Sequence, residues 1–179
     1  MEIKLLLFKL YVKLIRPYTE KFLNDKAEKK YKVSNDVWST IKNLPLYDFS
    51  REINTYEYSS DRLGGLLDHS FNHPNYFFIE KGHGRDCDSY TRLMKYWAIY
   101  NNVEAQEVIV SSISHIVRDA HVVAVLHMDG YYLCDYGVYG PFTTFEDAVY
   151  NITDRWKKYT KDDFVYELYN GIYLSKEEL

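Results

Sequence analysis

Residues 120–135 have the sequence AHVVAVLHMDGYYLCD, and this stretch decides the fold class. β-Branched and aromatic residues dominate both of its halves, which is typical of strands. Asp129-Gly130 between the halves is a strong signal for a tight hairpin turn. Residues 105–112 have a similar composition and predict a further strand. We therefore expect an antiparallel sheet built around a hairpin of residues 120–128 and 131–136.

The length of the hairpin loop decides which side chains share a face of the sheet. With a two-residue loop, His121 and Asp135 project from opposite faces. With a three-residue loop at residues 128–130, Asp135 lies opposite Val123, and His121 becomes its diagonal neighbour on the same face, about 7–8 Å away. Such a loop is typical of a type I turn followed by a left-handed glycine, which predicts that conformation for Gly130.

A helix is predicted to begin at Cys87. Residues 82–86 form a glycine-containing turn, and after it Cys87, Tyr90, Thr91, Met94 and Ala98 recur at intervals of three and four. A thiol in the first turn meets unsatisfied backbone N–H groups and the positive end of the helix dipole, which both favour the thiolate. The flanking carboxylates of Asp86 and Asp88 oppose its ionisation. Buried cysteine is also a common inert core residue, so the position alone does not establish reactivity.

The helix and the hairpin together contain the parts of a nucleophilic triad. Cys87 begins a helix, His121 opens one strand, and Asp135 ends the neighbouring strand. In such a triad the carboxylate orients the imidazole, and the imidazole activates the thiol. Strand alternation turns Cys134 away from this site, which predicts a core residue there and excludes a Cys87–Cys134 disulfide.

Four segments resemble the transglutaminase-like cysteine proteinases, which belong to the papain-like superfamily. The resemblance covers about half of the chain and lies in the order and spacing of short motifs: Ile53-Asn54 with Tyr58 and Asp61, Gly84 to Tyr90, Ala120 to Val123, and Asp129 to Asp135. Arg85 stands directly before Asp86 where the family has Gly, and Ser89 and Thr91 replace an acidic residue and Ala. Arg85 would stabilise a thiolate, bind an acidic group of the substrate, or obstruct the nucleophile.

This resemblance implies an α+β fold with a papain-like core, in which the Cys-bearing helix packs on an antiparallel sheet. It implies a thiol-dependent acyl-transfer enzyme, a peptidase or amidase acting on a protein or peptide carboxamide. Cys87 would be the nucleophile, His121 the general base and then acid, and Asp135 the orienting carboxylate, without a cofactor. The alternatives are a transglutaminase that accepts an amine, and a catalytically inactive scaffold that binds proteins. The domain would span residues 33–179, after an N-terminal extension at residues 1–32.

The N-terminal segment predicts an amphipathic helix. On a helical wheel Glu2, Lys9, Lys13, Arg16 and Glu20 form one narrow polar stripe, and apolar side chains cover most of the rest. Lysines interrupt the apolar sequence too often for a secretory signal or a membrane span. We expect the apolar face to pack on the domain's own core or on a partner helix, in preference to docking on a membrane surface.

Composition and charge limit the remaining possibilities. The 179 residues, 46% of them hydrophobic and only 2 of them Cys, predict one globular domain in a reducing compartment, the cytoplasm. Residues 1–32 contain nine basic and four acidic residues, a net charge of +5, whereas the rest of the chain has a net charge of −9. This acidic body argues against a nucleic-acid partner.

His69, His73 and His83 lack the spacing of metal ligands, so we expect no metal.

Outside these motifs the sequence predicts fewer elements. Ser34 or Asn35 is expected to cap a short helix through Ile41, and residues 46–80 are expected to be irregular and to wall a cleft. A capping arrangement starting at Thr144 predicts a helix through Ile152. Residues 164–174 predict a last strand.

Overall fold

The computed structural model describes residues 2–29, 32–33, 35–57, 71–79, 85–113, 120–160 and 163–179. Within these residues the chain forms helices and one antiparallel sheet. The helices are α1 (Glu2–Leu10), α2 (Arg16–Glu28), α3 (Val37–Ile41), α4 (Leu46–Ile53), α5 (Cys87–Tyr100) and α6 (Phe145–Thr160). The strands are β1 (Glu104–Ser112), β2 (Ala120–His127), β3 (Tyr131–Cys134), β4 (Val138–Phe142) and β5 (Phe164–Tyr169).

The sheet has the order β4-β3-β2-β1-β5, and all neighbouring strands are antiparallel. The expected α+β class, helices combined with an antiparallel sheet, is confirmed. β2 lies at the centre of the sheet, which explains its nearly continuous apolar sequence. β4 and β5 form the two edges.

Helices cover both faces of the sheet. Successive side chains of β2 point alternately to one face and to the other. Val123 and Val125 pack with Ala148, Val149 and Ile152 of α6. The intervening side chains of β2 pack on the other face with α5 and the aromatic residues of α3 and α4. The sheet thus separates an α6 side from an α5 side.

The N-terminal helix is continuous over residues 2–28, because a π-helical turn at Tyr11–Ile15 joins α1 to α2. Five of its buried side chains follow at intervals of four, Phe8, Val12, Arg16, Glu20 and Asn24, and Pro17 is buried beside Arg16. A four-residue interval drifts by about 40° per step on an α-helix of 3.6 residues per turn. The π turn has wider i→i+5 bonding and absorbs part of that drift.

The orientation of this helix corrects part of the sequence-based expectation. Phe8 and Val12 pack on the domain as expected, but most of the wide apolar face points outward, and Arg16 and Glu20 of the polar stripe are buried. Arg92 of α5 donates to Glu20 at 2.9 Å, Tyr169 also donates to Glu20, and Arg16 lies 3.7 Å from Asp88. The inward polar side chains therefore have partners on α5 and β5, which a wheel of the helix alone does not reveal.

Several element boundaries also differ from those expected. The cap of α3 is Asp36, which accepts from the N–H of Ser39, in place of Ser34 or Asn35; Ser34 lies outside the described residues. Residues 46–80 are not irregular throughout, since α4 and a 3-10 turn at Pro74–Phe78 lie within them. Thr144 caps α6 as expected, but the helix continues beyond Ile152 to Thr160. β5 ends earlier than expected, at Tyr169.

Some sequence motifs fall outside the described residues. These are Tyr58, Asp61 and Gly84 of the family resemblance, the turn at residues 82–84, and the histidines His69 and His83. Among the described helices, none combines the length and apolarity needed to cross a bilayer.

Candidate active site

The register of the β2–β3 hairpin is the one that the three-residue loop predicts. His127 pairs with Tyr131 and Ala124 pairs with Cys134, which leaves residues 128–130 as the loop. The N–H of Met128 donates to the carbonyl oxygen of Gly130 at 3.0 Å and closes it. Extending this register by one residue brings Asp135 opposite Val123, on the α6 side of the sheet.

The glycine in this loop has a different role from the one expected. Gly130 does not have the predicted left-handed backbone, because Gly140 is the only described glycine with a positive φ. A Cβ at Gly130 would instead lie 2.8 Å from Cβ of Pro141 on β4. The close approach of β4, and not the turn conformation, therefore requires glycine at this position.

His121 and Asp135 form a hydrogen bond. Nε2 of His121 lies 2.7 Å from Oδ1 of Asp135, and the two side chains are only 9% and 10% exposed. A carboxylate at Nε2 favours the tautomer in which Nε2 carries the proton. In this orientation Nδ1 is the ring nitrogen that would accept a proton from a nucleophile.

Two side chains of α6 complete the surroundings of this pair. Nη2 of Arg155 donates to Oδ2 of Asp135 at 3.0 Å, so each carboxylate oxygen has its own partner. The ring of Trp156 stacks on the imidazole of His121 with a centroid distance of 4.8 Å and an interplanar angle of 29°. Both contacts restrict movement: Arg155 fixes the carboxylate and Trp156 fixes the plane of the imidazole.

Sequence reasoning missed Arg155 and Trp156. The expected helix ended at Ile152, although Trp156 follows it by four residues and continues the buried face of α6. Extending that periodicity would have found the tryptophan. Nothing in the sequence indicates the pairing of Arg155 with Asp135, which lies 20 residues earlier on another element.

Cys87 is the first residue of α5, as predicted, and its side chain is half-buried. It packs against a cluster on the α5 side of the sheet that contains Phe8 and Val12 of the N-terminal helix together with Ile109, Val122 and Tyr169. Ala120 packs against the same cluster. The structure therefore brings His121 and Asp135 together on the α6 side, and brings Cys87 to the cluster that holds the strand residues flanking His121.

The start of β2 has no strand partner on its β3 side within the described residues, and α5 begins next to it. β3 stops at Cys134, opposite Ala124, so the first residues of β2 extend beyond it. α5 runs beside these residues, because Thr91 donates from Oγ1 to the carbonyl oxygen of Val122 at 2.9 Å. Thr91 lies one helical turn after Cys87, a rise of about 6 Å along the axis. The start of α5 is thus close to the strand end that contains His121.

Tyr136 connects α5 to the histidine. Its ring lies 5.3 Å from that of Tyr90 on α5 and 6.1 Å from that of His121, measured between centroids. Its backbone has a positive φ of 48°, and Nδ2 of Asn54 donates to its carbonyl oxygen at 2.8 Å. Asn54 belongs to the family resemblance, and in this structure it holds the turn that follows Asp135.

The acidic residues flanking Cys87 are buried. The carboxylate of Asp88 lies 3.7 Å from Nη2 of Arg16, and its Oδ1 accepts from the N–H of Ser89. Asp86 precedes the helix with an extended backbone and makes no side-chain cap. The guanidinium of Arg16 offsets the negative charge of Asp88 next to the thiol, which sequence reasoning did not anticipate.

A cleft of about 490 Å³ opens beside Tyr136, as expected from residues 46–80. Its walls come from the end of α4 and from aromatic side chains: residues 53–57, Phe77, Arg85, Tyr90 and Tyr136. Nε of Arg85 donates to the carbonyl oxygen of Phe77 at 3.0 Å, and its guanidinium lies 5.2 Å from the ring centroid of Tyr56. Arg85 is thus part of the cleft wall, two residues before Cys87.

The other candidate groups have structural roles. Nδ1 of His73 accepts from the N–H of Asn75 and caps a 3-10 turn. Cys134 is fully buried and unpaired, as expected of a core residue, and burial raises the pKa of its thiol far above the usual range. Within the part of the chain that the structure describes, no three His, Cys, Asp or Glu residues converge as metal ligands.

No protein family, curated protein or solved structure matched this chain. The candidate site therefore rests on its own geometry.

Proposed function

We propose that this protein is a thiol-dependent acyl-transfer enzyme, a peptidase or amidase, built on a papain-like core of the transglutaminase-like type. The supporting observation is the 2.7 Å hydrogen bond between Nε2 of His121 and Oδ1 of Asp135. It joins two residues 14 positions apart, deeply buried at the strand end beside the start of α5. Cys87 is the nucleophile, His121 the base and then the acid, and Asp135 the orienting carboxylate.

The first step forms a thioester. Nδ1 of His121 takes the proton of the Cys87 thiol, and the sulfur attacks the carbonyl carbon of a carboxamide. When the C–N bond breaks, the imidazolium gives its proton to the departing amine or ammonia. This step requires the thiol and Nδ1 to meet at the start of β2.

The second step releases the acyl group. His121 takes a proton from water, the resulting hydroxide attacks the thioester, and the thiol leaves with the proton that the imidazole returns. The products are a carboxylic acid and free Cys87. We favour water over an amine as the acceptor because water needs no binding pocket of its own, so hydrolysis takes precedence over cross-linking.

The start of α5 supplies electrostatic stabilisation. The first N–H groups of an α-helix have no partner within the helix, so the N–H of Cys87 is suited to bind the oxyanion of the tetrahedral intermediate. The helix dipole supports the same charge. The ion pair of Asp88 with Arg16 limits the opposing field of the neighbouring carboxylate.

The aromatic cleft is the proposed binding site for the acyl side of a peptide. Tyr136 lies in its wall and also next to the ring of His121. Tyr56 and Phe77 offer apolar surface to a side chain of the substrate. The guanidinium of Arg85 donates hydrogen bonds to the backbone carbonyl oxygens of Phe77 and Ile79, which hold it in the cleft wall. A protein or peptide chain with an apolar residue near the scissile bond fits this lining.

The alternative is a protein-binding module without catalysis on the same scaffold. Two observations favour it: Arg85 stands where the family has Gly, and Cys87 packs against an apolar cluster. In that case the thiol would behave like any other half-buried cysteine.

Alkylation by iodoacetamide separates the two functions. Because Cys134 is completely buried, mass spectrometry of the intact folded protein reports on Cys87, and Cys87→Ser is the blank. We expect wild type to react rapidly near neutral pH, and His121→Ala to react about tenfold more slowly, since an ordinary thiol is only a few per cent thiolate at pH 7.

Equal rates in wild type and His121→Ala would contradict the catalytic proposal and favour the binding module. His121→Gln serves as a second variant, because its amide retains much of the contact with Trp156 and Asp135 but is not a base at neutral pH. Slow alkylation in both variants, with circular dichroism spectra like that of wild type, would assign the effect to the imidazole and exclude a general loss of packing.

A further inference from the structure

The outer surface of the N-terminal helix is mainly apolar from Ile3 to Phe22. Eight side chains that are 43–75% exposed form this apolar face: Ile3, Leu6, Leu7, Leu10, Leu14, Ile15, Tyr18 and Phe22. From Ile3 to Phe22 the helix extends about 30 Å. Contiguous apolar surfaces of this size are rare on monomeric soluble proteins and mark interaction sites.

The opposite side of the helix packs on the rest of the protein, so the helix is held in a fixed orientation. Phe8 and Val12 are buried in the cluster with Val122 and Tyr169, and the side chains of Lys9 and Lys13 reach Glu167 of β5 at 3.1 and 3.6 Å. The buried ion pairs of Arg16 with Asp88 and of Glu20 with Arg92 hold the C-terminal half of the helix. The fold therefore fixes the apolar face outward.

Of the described side chains around this face, most of the exposed charges are positive; the exception is Asp25, whose side chain is 43% exposed and pairs with Lys21. Lys4, Lys21, Lys26 and Lys29 are exposed along the helix. The acidic side chains beside them bind within the protein: Glu20 binds Arg92, and Glu28 accepts from the backbone N–H of Asn72. Asp25 bonds both Lys21 and Asn72. The face thus combines apolar contact area with basic flanks on an otherwise acidic protein.

We propose that the apolar face docks on the surface of an anionic lipid bilayer. An amphipathic helix lies in the membrane interface when its apolar side chains enter the acyl boundary and its lysines meet anionic headgroups. Charge favours this occupant over a second copy of the chain, because pairing two copies through this face would bring the exposed lysines of both copies together. The inference does not depend on the proposed catalytic activity.

Docking brings the start of α5 near the bilayer. Cys87 packs against the cluster that contains the inward residues Phe8 and Val12, opposite the apolar face. The thickness of one helix, about 10–12 Å, therefore separates α5 from the lipid surface.

Flotation of the full chain with lipid vesicles tests the proposal. The probes are phosphatidylcholine vesicles alone and the same vesicles with roughly 30 mol % phosphatidylserine. We expect wild type to float with the anionic vesicles and to lose binding at high salt. The double variant Leu7→Gln/Leu14→Gln should bind at least tenfold more weakly, because it removes two exposed apolar side chains. The matched control is Leu168→Gln/Ile172→Gln, which alters apolar residues of 42% and 40% exposure elsewhere and should bind like wild type.

Three results would overturn the proposal. The first is absence of wild-type flotation with either vesicle, and the second is equal flotation of wild type and Leu7→Gln/Leu14→Gln. The third is a concentration-dependent dimer that this variant abolishes, without vesicle binding, which would identify a second copy as the occupant. Thermal melting accompanies each measurement, and unfolding of Leu7→Gln/Leu14→Gln would contradict the exposed position of the apolar face.

Discussion

Arg155 and His121 bind different oxygens of the Asp135 carboxylate. Nη2 of Arg155 lies 3.0 Å from Oδ2, while Nε2 of His121 lies 2.7 Å from Oδ1. The carboxylate is therefore held in one plane by a cation on α6 and by the imidazole on β2. Asp135 cannot turn toward solvent without losing both bonds.

This arrangement predicts unequal effects of two substitutions. Asp135→Asn should slow alkylation of Cys87 about tenfold at pH 7, because a neutral amide no longer stabilises the imidazolium. Arg155→Met should slow it by about fivefold or less, since a partly exposed ion pair contributes up to about 1 kcal/mol. Alkylation rates measured from pH 5 to pH 9 check both. As a positioning residue, Arg155 should alter the shape of that pH profile, and an unchanged profile would limit it to a structural role.

Gly130→Ala should destabilise the fold. The new Cβ would lie 2.8 Å from Cβ of Pro141, so β3 or β4 must shift, at a cost of about 1–3 kcal/mol. Urea denaturation measures this cost. The matched control is Gly137→Ala in the following turn, where the nearest atom is the hydroxyl of Tyr139 at 3.4 Å and the cost should be smaller. Equal stability of Gly130→Ala and wild type would refute the close approach of β4.

The orientation of the N-terminal helix predicts opposite behaviour of adjacent residues. Phe8→Ala should lower the free energy of unfolding by about 3 kcal/mol, because this side chain is only 5% exposed. Leu7→Ala should change it by no more than about 0.5 kcal/mol, because Leu7 is 60% exposed. Thermal and urea denaturation of the two variants compare them directly. A larger loss of unfolding free energy in Leu7→Ala than in Phe8→Ala would mean that the helix is rotated about its axis, with Leu7 facing the protein.

How far the sequence predicts this structure depends on where the partner residues lie. The hairpin and its two strands follow from residues 120–135 alone, because the turn signal and the alternation are local; the loop length, and with it the register, was open between two and three residues. The orientation of the N-terminal helix does not, because the partner of Glu20 is Arg92, 72 residues away. A helical wheel identifies a polar and an apolar stripe, but it does not show which stripe packs against the rest of the protein. Arg155 was missed for the same reason.

The pH dependence of stability should report on Glu107. This carboxyl lies fully buried on β1, and burial, with the nearby Glu20, raises its pKa to about 7 against the partial compensation of Arg92. The folded state therefore binds more protons than the unfolded state between pH 4.5 and pH 7, and stability should fall as the pH rises through this window. Glu107→Gln should remove this decline and raise stability at pH 8.

Urea denaturation at several pH values measures the effect, and Glu52→Gln, a change at an exposed glutamate of α4, is the control. The control should retain the wild-type decline. If Glu107→Gln and Glu52→Gln gave the same pH profile, the titrating group would not be Glu107.

The central claim is that the thiol of Cys87 and the imidazole of His121 meet at the start of β2. The thiolate absorbs ultraviolet light and the thiol does not, so the absorbance difference between wild type and Cys87→Ser measures the ionised fraction of Cys87 directly. We predict a large difference at pH 6, where an ordinary thiol is almost fully protonated, and its loss in His121→Ala. A wild type without thiolate absorbance at pH 6, or with the same absorbance after His121→Ala, would contradict the account.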